Sequence, residues 1–300
     1  MALKSKKVWY QRKYFFIFVG PTLLIYTIFW ALPIISSILL SFTNWSGISS
    51  LFSSDFVGLK NFKQMSIDPI FRTSMKNNLI YGMIMFLTVT PISFFVAYFL
   101  DTHVRHKKIC ETFAYLPAVL PVIVVTLLWK WIYNPQYGML NSFLKLVGLE
   151  KFTTGWLTNS DVALGAITFV SIWKSVPIYL ILCLAGLQQV PNKLKEAAII
   201  DGATEPIVLF NVIIPCMQRV LYTVMSLVVI DVFRTFELVY VMTDGGPGYY
   251  STEMLLTYMY KTSFANSMAG YGSAIATTTI FIVLVITSLN LKATMKSNEE

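Results

Sequence analysis

The sequence predicts an all-α, polytopic membrane protein with six transmembrane helices, and three observations predict it. Of 300 residues, 56% are hydrophobic and only 13% are charged, whereas about a quarter of an ordinary soluble chain is charged. Mean hydropathy is +0.64. Six apolar stretches each exceed the roughly 20 residues that cross about 30 Å of hydrocarbon. Two soluble domains, which length alone would suggest, are excluded because the chain lacks the polar material to cover them.

The first stretch runs from Phe15 to Leu40 behind Lys4, Lys6, Lys7, Arg12 and Lys13. A signal peptide starts in the same way, but its apolar region is about 7–15 residues, so this one reads as an uncleaved helix over 15–42 after a 1–14 tail. A loop over 43–78 separates it from a five-helix core over 79–291. Within the core, the stretches are Leu79 to Leu100, Thr112 to Ile132, Val162 to Leu187, Val220 to Met242 and Tyr271 to Leu291; a 292–300 tail follows. Prolines 21, 33, 91, 117, 121 and 177 fall inside these spans. Membrane helices tolerate them where neighbours or water satisfy the freed carbonyls, so a bundle of kinked helices around a pathway is expected.

An even number of spans puts both termini on one side. Segments on the N-terminal side carry thirteen Lys or Arg, and the opposite loops carry seven. The positive-inside rule therefore expects both termini in the cytoplasm, and it accounts for the net charge of +8 without nucleic acid. The loop over 43–78 and the segment from Asn134 to Asp161 are then external.

Catalytic and metal-binding signatures are missing. There is no G-x-x-x-x-G-K-[ST] to cradle a nucleotide phosphate, and Gly245-Gly246-Pro247-Gly248 reads as a turn. Cys110, Cys183 and Cys216 have none of the paired spacings of a disulfide framework or zinc site. His103 and His106, with Asp101 and Glu111, are accounted for by a short polar loop. No enzyme, metal or cofactor bound by this chain is expected.

The cytoplasmic segment 188–219 is the most informative. Lys193 to Ile200 are helix formers, Pro191 lies near their start and Gly202 ends them, while Pro206 suits the first turn of a second short helix. A helix, a tight turn and a helix are expected, with Ala197, Ala198, Gly202 and Ala203 small enough for another backbone to approach.

The string Glu196-Ala197-Ala198, then Asp201-Gly202-Ala203, then Val212-Ile213-Ile214-Pro215 resembles the EAA loop of ABC importer permeases, E-A-A-x-x-D-G-A followed after eight residues by I-x-L-P. Val212 and Ile214 stand where the pattern has Ile and Leu. Other segments resemble the maltose-type, or sugar, branch: Phe56 to Phe62, Tyr137 to Asn141, Ala185 to Gln188, Thr243 to Pro247 and Gly270 to Gly272. The resemblance runs from about Gly20 to Leu291. It implies a type I ABC importer transmembrane fold in a bacterial cell membrane. It also implies a second, similar permease subunit, two cytoplasmic ATPase subunits that hold ATP and Mg, and an external solute-binding protein. Glu196, Ala197, Ala198, Asp201, Gly202 and Ala203 would dock on the ATPase, with Pro215 ending the loop.

Charges inside spans mark a candidate pathway, since they are costly in lipid. In the fifth stretch, Asp231, Arg234 and Glu237 recur every third residue, about 60° apart on a continuous helix, so Arg234 could pair with either acid. Counted from Val220, Asp231 lies roughly 16 Å and Glu237 roughly 25 Å along that helix. Lys174 follows Trp173 in the fourth stretch, one turn before Pro177. Trp173 and Tyr240 could offer flat faces to a sugar ring; an ion-pair network that only locks the helices accounts for the same charges. Lys130, between Trp129 and Trp131, is expected to snorkel as an interfacial anchor. The expected function is half of a pathway for uptake of a sugar or oligosaccharide. An anionic solute such as a glycerol phosphoester or acidic sugar, or a non-transporting scaffold or sensor that binds an ATPase, stays open at this point.

Overall fold

The computed structural model describes residues 14, 17–50 and 54–296, with side chains through 290; residues 1–13, 15–16, 51–53 and 297–300 lie outside the described residues. Helices dominate: α1 (Ile17–Leu40), α2 (Lys60–Ile67), α3 (Pro69–His103), α4 (Lys107–Val119), α5 (Val122–Ile132), α6 (Met139–Leu146), α7 (Ala163–Leu187), α8 (Asn192–Ile200), α9 (Glu205–Arg234), α10 (Glu237–Thr243), α11 (Leu255–Tyr260) and α12 (Ala269–Lys296). Five are long and apolar enough to span a membrane, and α4 with α5 makes a sixth when that bent pair counts as one span.

The chain divides into two compact units, residues 1–67 with 259–278 and residues 68–258 with 279–300. In the first, none of α1 is buried, which suits a helix that is apolar all round. The segment after it folds back onto its end. Asn61 donates to the carbonyls of Ser41 and Thr43, both at 2.8 Å, and Phe42 packs between Phe56 and Phe62.

In the second unit α3 packs on α7 and α9. Asp68 caps α3, accepting from the backbone N–H of Ile70 at 2.8 Å, and Pro69 occupies its first turn. The second span therefore begins ten residues before Leu79 and runs for 35 residues. Gly82 lets α3 approach α9 closely, since a Cβ there would lie 2.9 Å from Val232 Cγ1. Asn78, 2% exposed, donates to the Val232 carbonyl at 3.3 Å and accepts from the Leu255 N–H at 2.8 Å. One amide side chain thus ties α3 to α9 and to the start of α11.

Two expected spans are not continuous. The third breaks at Leu120-Pro121, where α4 and α5 meet at 91°. Pro121 has no N–H to continue the ladder and pushes Leu120 into the extended region, at ψ 133°. The fifth is displaced and broken: α9 starts at Glu205, passes Pro215 through a wide π turn over Leu209–Ile213, and stops at Arg234. Thr235 is extended at ψ 111°, and α10 restarts at Glu237. The second short helix expected after Gly202 is thus the first turn of α9, and Pro215 sits inside this helical run instead of ending a loop.

Candidate functional site

Both breaks open on one cavity of about 410 Å³, lined by Val122 beside the first break, by Thr235 and Phe236 at the second, and by α3 and α7 between them. Lys174, Asp231, Arg234 and Glu237 all line it. Trp173 and Tyr240 do not. Trp173 is turned edge-on to Trp129, with centroids 5.7 Å apart, and Tyr240 stacks on Phe236 at 5.2 Å. The aromatic side chains that line the cavity are Phe236 and Tyr81.

The charges are also arranged differently from the expected stripe. Because the helix stops between them, Arg234 and Glu237 do not share one face, and among the described residues Arg234 forms no ion pair with either acid. Asp231 instead accepts from the Tyr179 hydroxyl at 2.5 Å, and Lys174 Nζ donates to the Leu120 carbonyl at 2.8 Å. That carbonyl closes α4, so the ammonium both supplies a donor and faces the negative end of a helix dipole. Thr235 donates its hydroxyl to the Asp231 carbonyl at 2.9 Å, and Tyr81 lies 3.2 Å from the same hydroxyl. All four charges line the cavity, and Lys174 and Asp231 are in addition hydrogen-bonded within the chain.

Sequence reasoning missed Tyr81, Ser171, Ser175, Tyr179 and Phe236. A signal for part of this set was present: Ser171, Lys174, Ser175 and Ile178 stand at i, i+3, i+4 and i+7, one face of α7, and all line the cavity. Lys130, at the outer end of α5, donates from Nζ to the Val241 carbonyl in α10 at 3.2 Å.

The second site is the turn between α8 and α9. Gly202 adopts φ +85°, a region that L side chains rarely enter, and the N–H groups of Gly202 and Ala203 close α8 onto Ile199 and Ala198. Ala198 and Ala203 pack on the core, whereas Glu196, Ala197, Asp201 and Gly202 are exposed. Ile199 and Ile200 are exposed beside them, at 62% and 84%, and sequence reasoning had passed over both. Two adjacent apolar side chains are thus left bare next to a small-residue turn.

Residues 77–293 match the family described as binding-protein-dependent transport system inner membrane component. The chain belongs to this family. It is a multi-pass membrane permease, a subunit of an ABC importer. The permease is 32% identical over 287 residues to the probable ABC transporter permease protein YurN of Bacillus subtilis, covering 95% of this chain and 97% of that one. It is 29% identical to the trehalose/maltose transport system permease protein MalF of Thermococcus litoralis, covering 97% and 96%. Its fold superimposes on a bacterial ABC transporter that imports the acidic polysaccharide alginate, with TM-score 0.84, 20% identity and 97% of this chain covered. The fold is thus that of a type I ABC importer transmembrane subunit.

Proposed function

We propose that this permease forms half of the transmembrane pathway for a sugar or oligosaccharide, delivered by an external solute-binding protein. A second, similar permease supplies the other half. Two ATPase subunits, holding ATP and Mg, dock on the turn around Gly202. Both termini lie in the cytoplasm in this reading, which the distribution of Lys and Arg supports. The observation that carries the reading is the cavity at the two helix breaks. Arg234 offers donors and Glu237 an acceptor beside the Phe236 ring, which suits hydroxyls that both donate and accept around a flat apolar face. Discontinuous helices around a polar cavity are also how transporters build solute sites within a membrane. The sugar named for the Thermococcus litoralis relative points the same way.

A second reading is favoured by Arg234, which is not neutralised by either neighbouring acid. It would suit an anionic solute, and the protein of like fold imports an acidic polysaccharide. Uptake into vesicles carrying the complete transporter separates the two, with neutral disaccharides and glycerol phosphoesters as probes. Uptake of the phosphoesters alone would overturn the sugar reading. Coupling has its own test. Any L residue at Gly202 meets the left-handed penalty of about 1–2 kcal/mol, so Gly202→Ala measures the strain and Gly202→Leu adds bulk. Loss of stimulated ATP hydrolysis in Gly202→Leu, well beyond that in Gly202→Ala, is expected; equal effects would assign the residue to the turn alone.

A further inference from the structure

A second cavity, of about 480 Å³, is lined by residues that the site at the helix breaks does not use. α5 and α10 pack against each other, and both reach from one cavity to the other. Val122 of α5 and Glu237 of α10 line the first cavity, whereas Lys130 and Val241, which are bonded to each other, line the second. At 1.5 Å per residue the separation is about 6 Å along α10 and about 12 Å along α5. Both volumes fall in the range of about 300–1,000 Å³ in which small solutes bind.

The second cavity offers both donors and an acceptor. Lys130 has three ammonium hydrogens, and the Val241 carbonyl takes one of them. Asn134 accepts from the backbone N–H groups of Gln136 and Tyr137 at 2.9 and 3.2 Å, so its side chain is fixed and its NH2 is a further donor. Asp244 lines the cavity with a carboxylate, which only accepts. The walls are held in place as well. Tyr133, 4% exposed, stacks on Trp156 with centroids 6.0 Å apart and donates its hydroxyl to the Ala166 carbonyl at 3.2 Å. In the loop after α10, a Cβ at Gly246 would meet Thr252 Oγ1 at 2.5 Å, so that loop is closely packed. Capping of α10 accounts for the bond from Lys130 to Val241, but not for the remaining donors, the carboxylate and the space they line.

We propose that this second cavity is an outer sugar subsite, where solute is held before it moves along α5 and α10 into the cavity at the helix breaks. Hydroxyl groups donate and accept at once, which matches an ammonium, an amide and a carboxylate set among apolar walls. Asn134 and Thr158 belong to the segment that is external in the reading above, so solute released outside meets this cavity first. The inference rests on the sugar reading of the pathway.

The test uses the complete transporter, purified through a tag on this chain and reconstituted in lipid vesicles. It is irradiated with a diazirine derivative of maltose, and labelled peptides are mapped by mass spectrometry with and without excess unlabelled maltose. Label that the excess removes is expected on residues 130–135 or 241–247, the outer set, and on 171–178 or 231–238, the inner set. Lys130→Met and Asp244→Asn should each lower outer labelling about 2- to 10-fold, the effect of one hydrogen bond, and leave inner labelling unchanged. Asn is chosen because it tolerates the φ of +48° at position 244. Thr158→Phe, which fills the cavity and leaves both charges in place, should act in the same way. Competed label on the inner set alone would overturn the subsite and leave the sugar reading standing. Outer label that all three variants leave unchanged, or lower only together with the inner label, would overturn the subsite too. Competed label on neither set would overturn the sugar reading and the subsite with it.

Discussion

Removing the ammonium of Lys174 isolates what holds the break in the third span. Nζ donates to the Leu120 carbonyl at 2.8 Å, a bond that spans 54 residues and joins α7 to the last turn of α4. Lys174→Met keeps most of the side-chain volume and deletes the donor. A hydrogen bond to a charged group contributes about 1.5–3 kcal/mol. Because Lys174 is only half-buried beside an open cavity, solvent reduces this to about 1–2 kcal/mol. At about 2–4 °C per kcal/mol for domains of 150–250 residues, the melting midpoint should fall by about 2–8 °C. Tryptophan fluorescence of the purified chain in micelles reads the local event, because Trp173 is the neighbouring residue and packs on Trp129. Lys174→Gln retains a neutral donor and should recover part of the loss. A Lys174→Met midpoint within about 1 °C of wild type would refute the view that this bond stabilises the break.

Two further substitutions test the packing that positions the cavity. Gly82→Ala places a methyl 2.9 Å from Val232 Cγ1, so overpacking of about 1–3 kcal/mol is expected. Adding Val232→Ala should return part of that stability in a thermal melt, with non-additivity above about 0.5 kcal/mol. Asn78→Ala strands the Leu255 N–H and the Val232 carbonyl in a buried site, and should cost at least about 2 kcal/mol in detergent-titrated unfolding. The Gly202 variants complete the set, reading the exposed turn.

Some of this was legible because it depends on neighbours in the chain. Apolar stretches long enough to cross a bilayer mark spans wherever they fold, and Gly202 after a run of helix formers marks a left-handed turn. Four of the six candidate pathway residues line the cavity because isolated charges in apolar helices have few other places to go. Trp173 and Tyr240 were chosen by residue type, and type does not say which way a ring turns. Pro121 was visible as a weak point in the third span, but the 91° turn of α5 follows from what α4 and α5 pack against.

The break in the fifth span had no local sign, since neither Thr235 nor Phe236 is a proline. A helix can stop there because its orphaned groups find other partners. The Thr235 hydroxyl serves the Asp231 carbonyl and the Asn78 amide serves the Val232 carbonyl, while Lys174 does the same for Leu120 at the other break. Sequence by itself determined that this chain lives in a membrane, roughly how often it crosses and where it exposes a tight turn, because hydropathy and backbone propensity are properties of short segments. The tertiary structure alone decided where two spans are cut and which charges are left facing the cavity, because donors that arrive from distant helices set the cost of interrupting a helix.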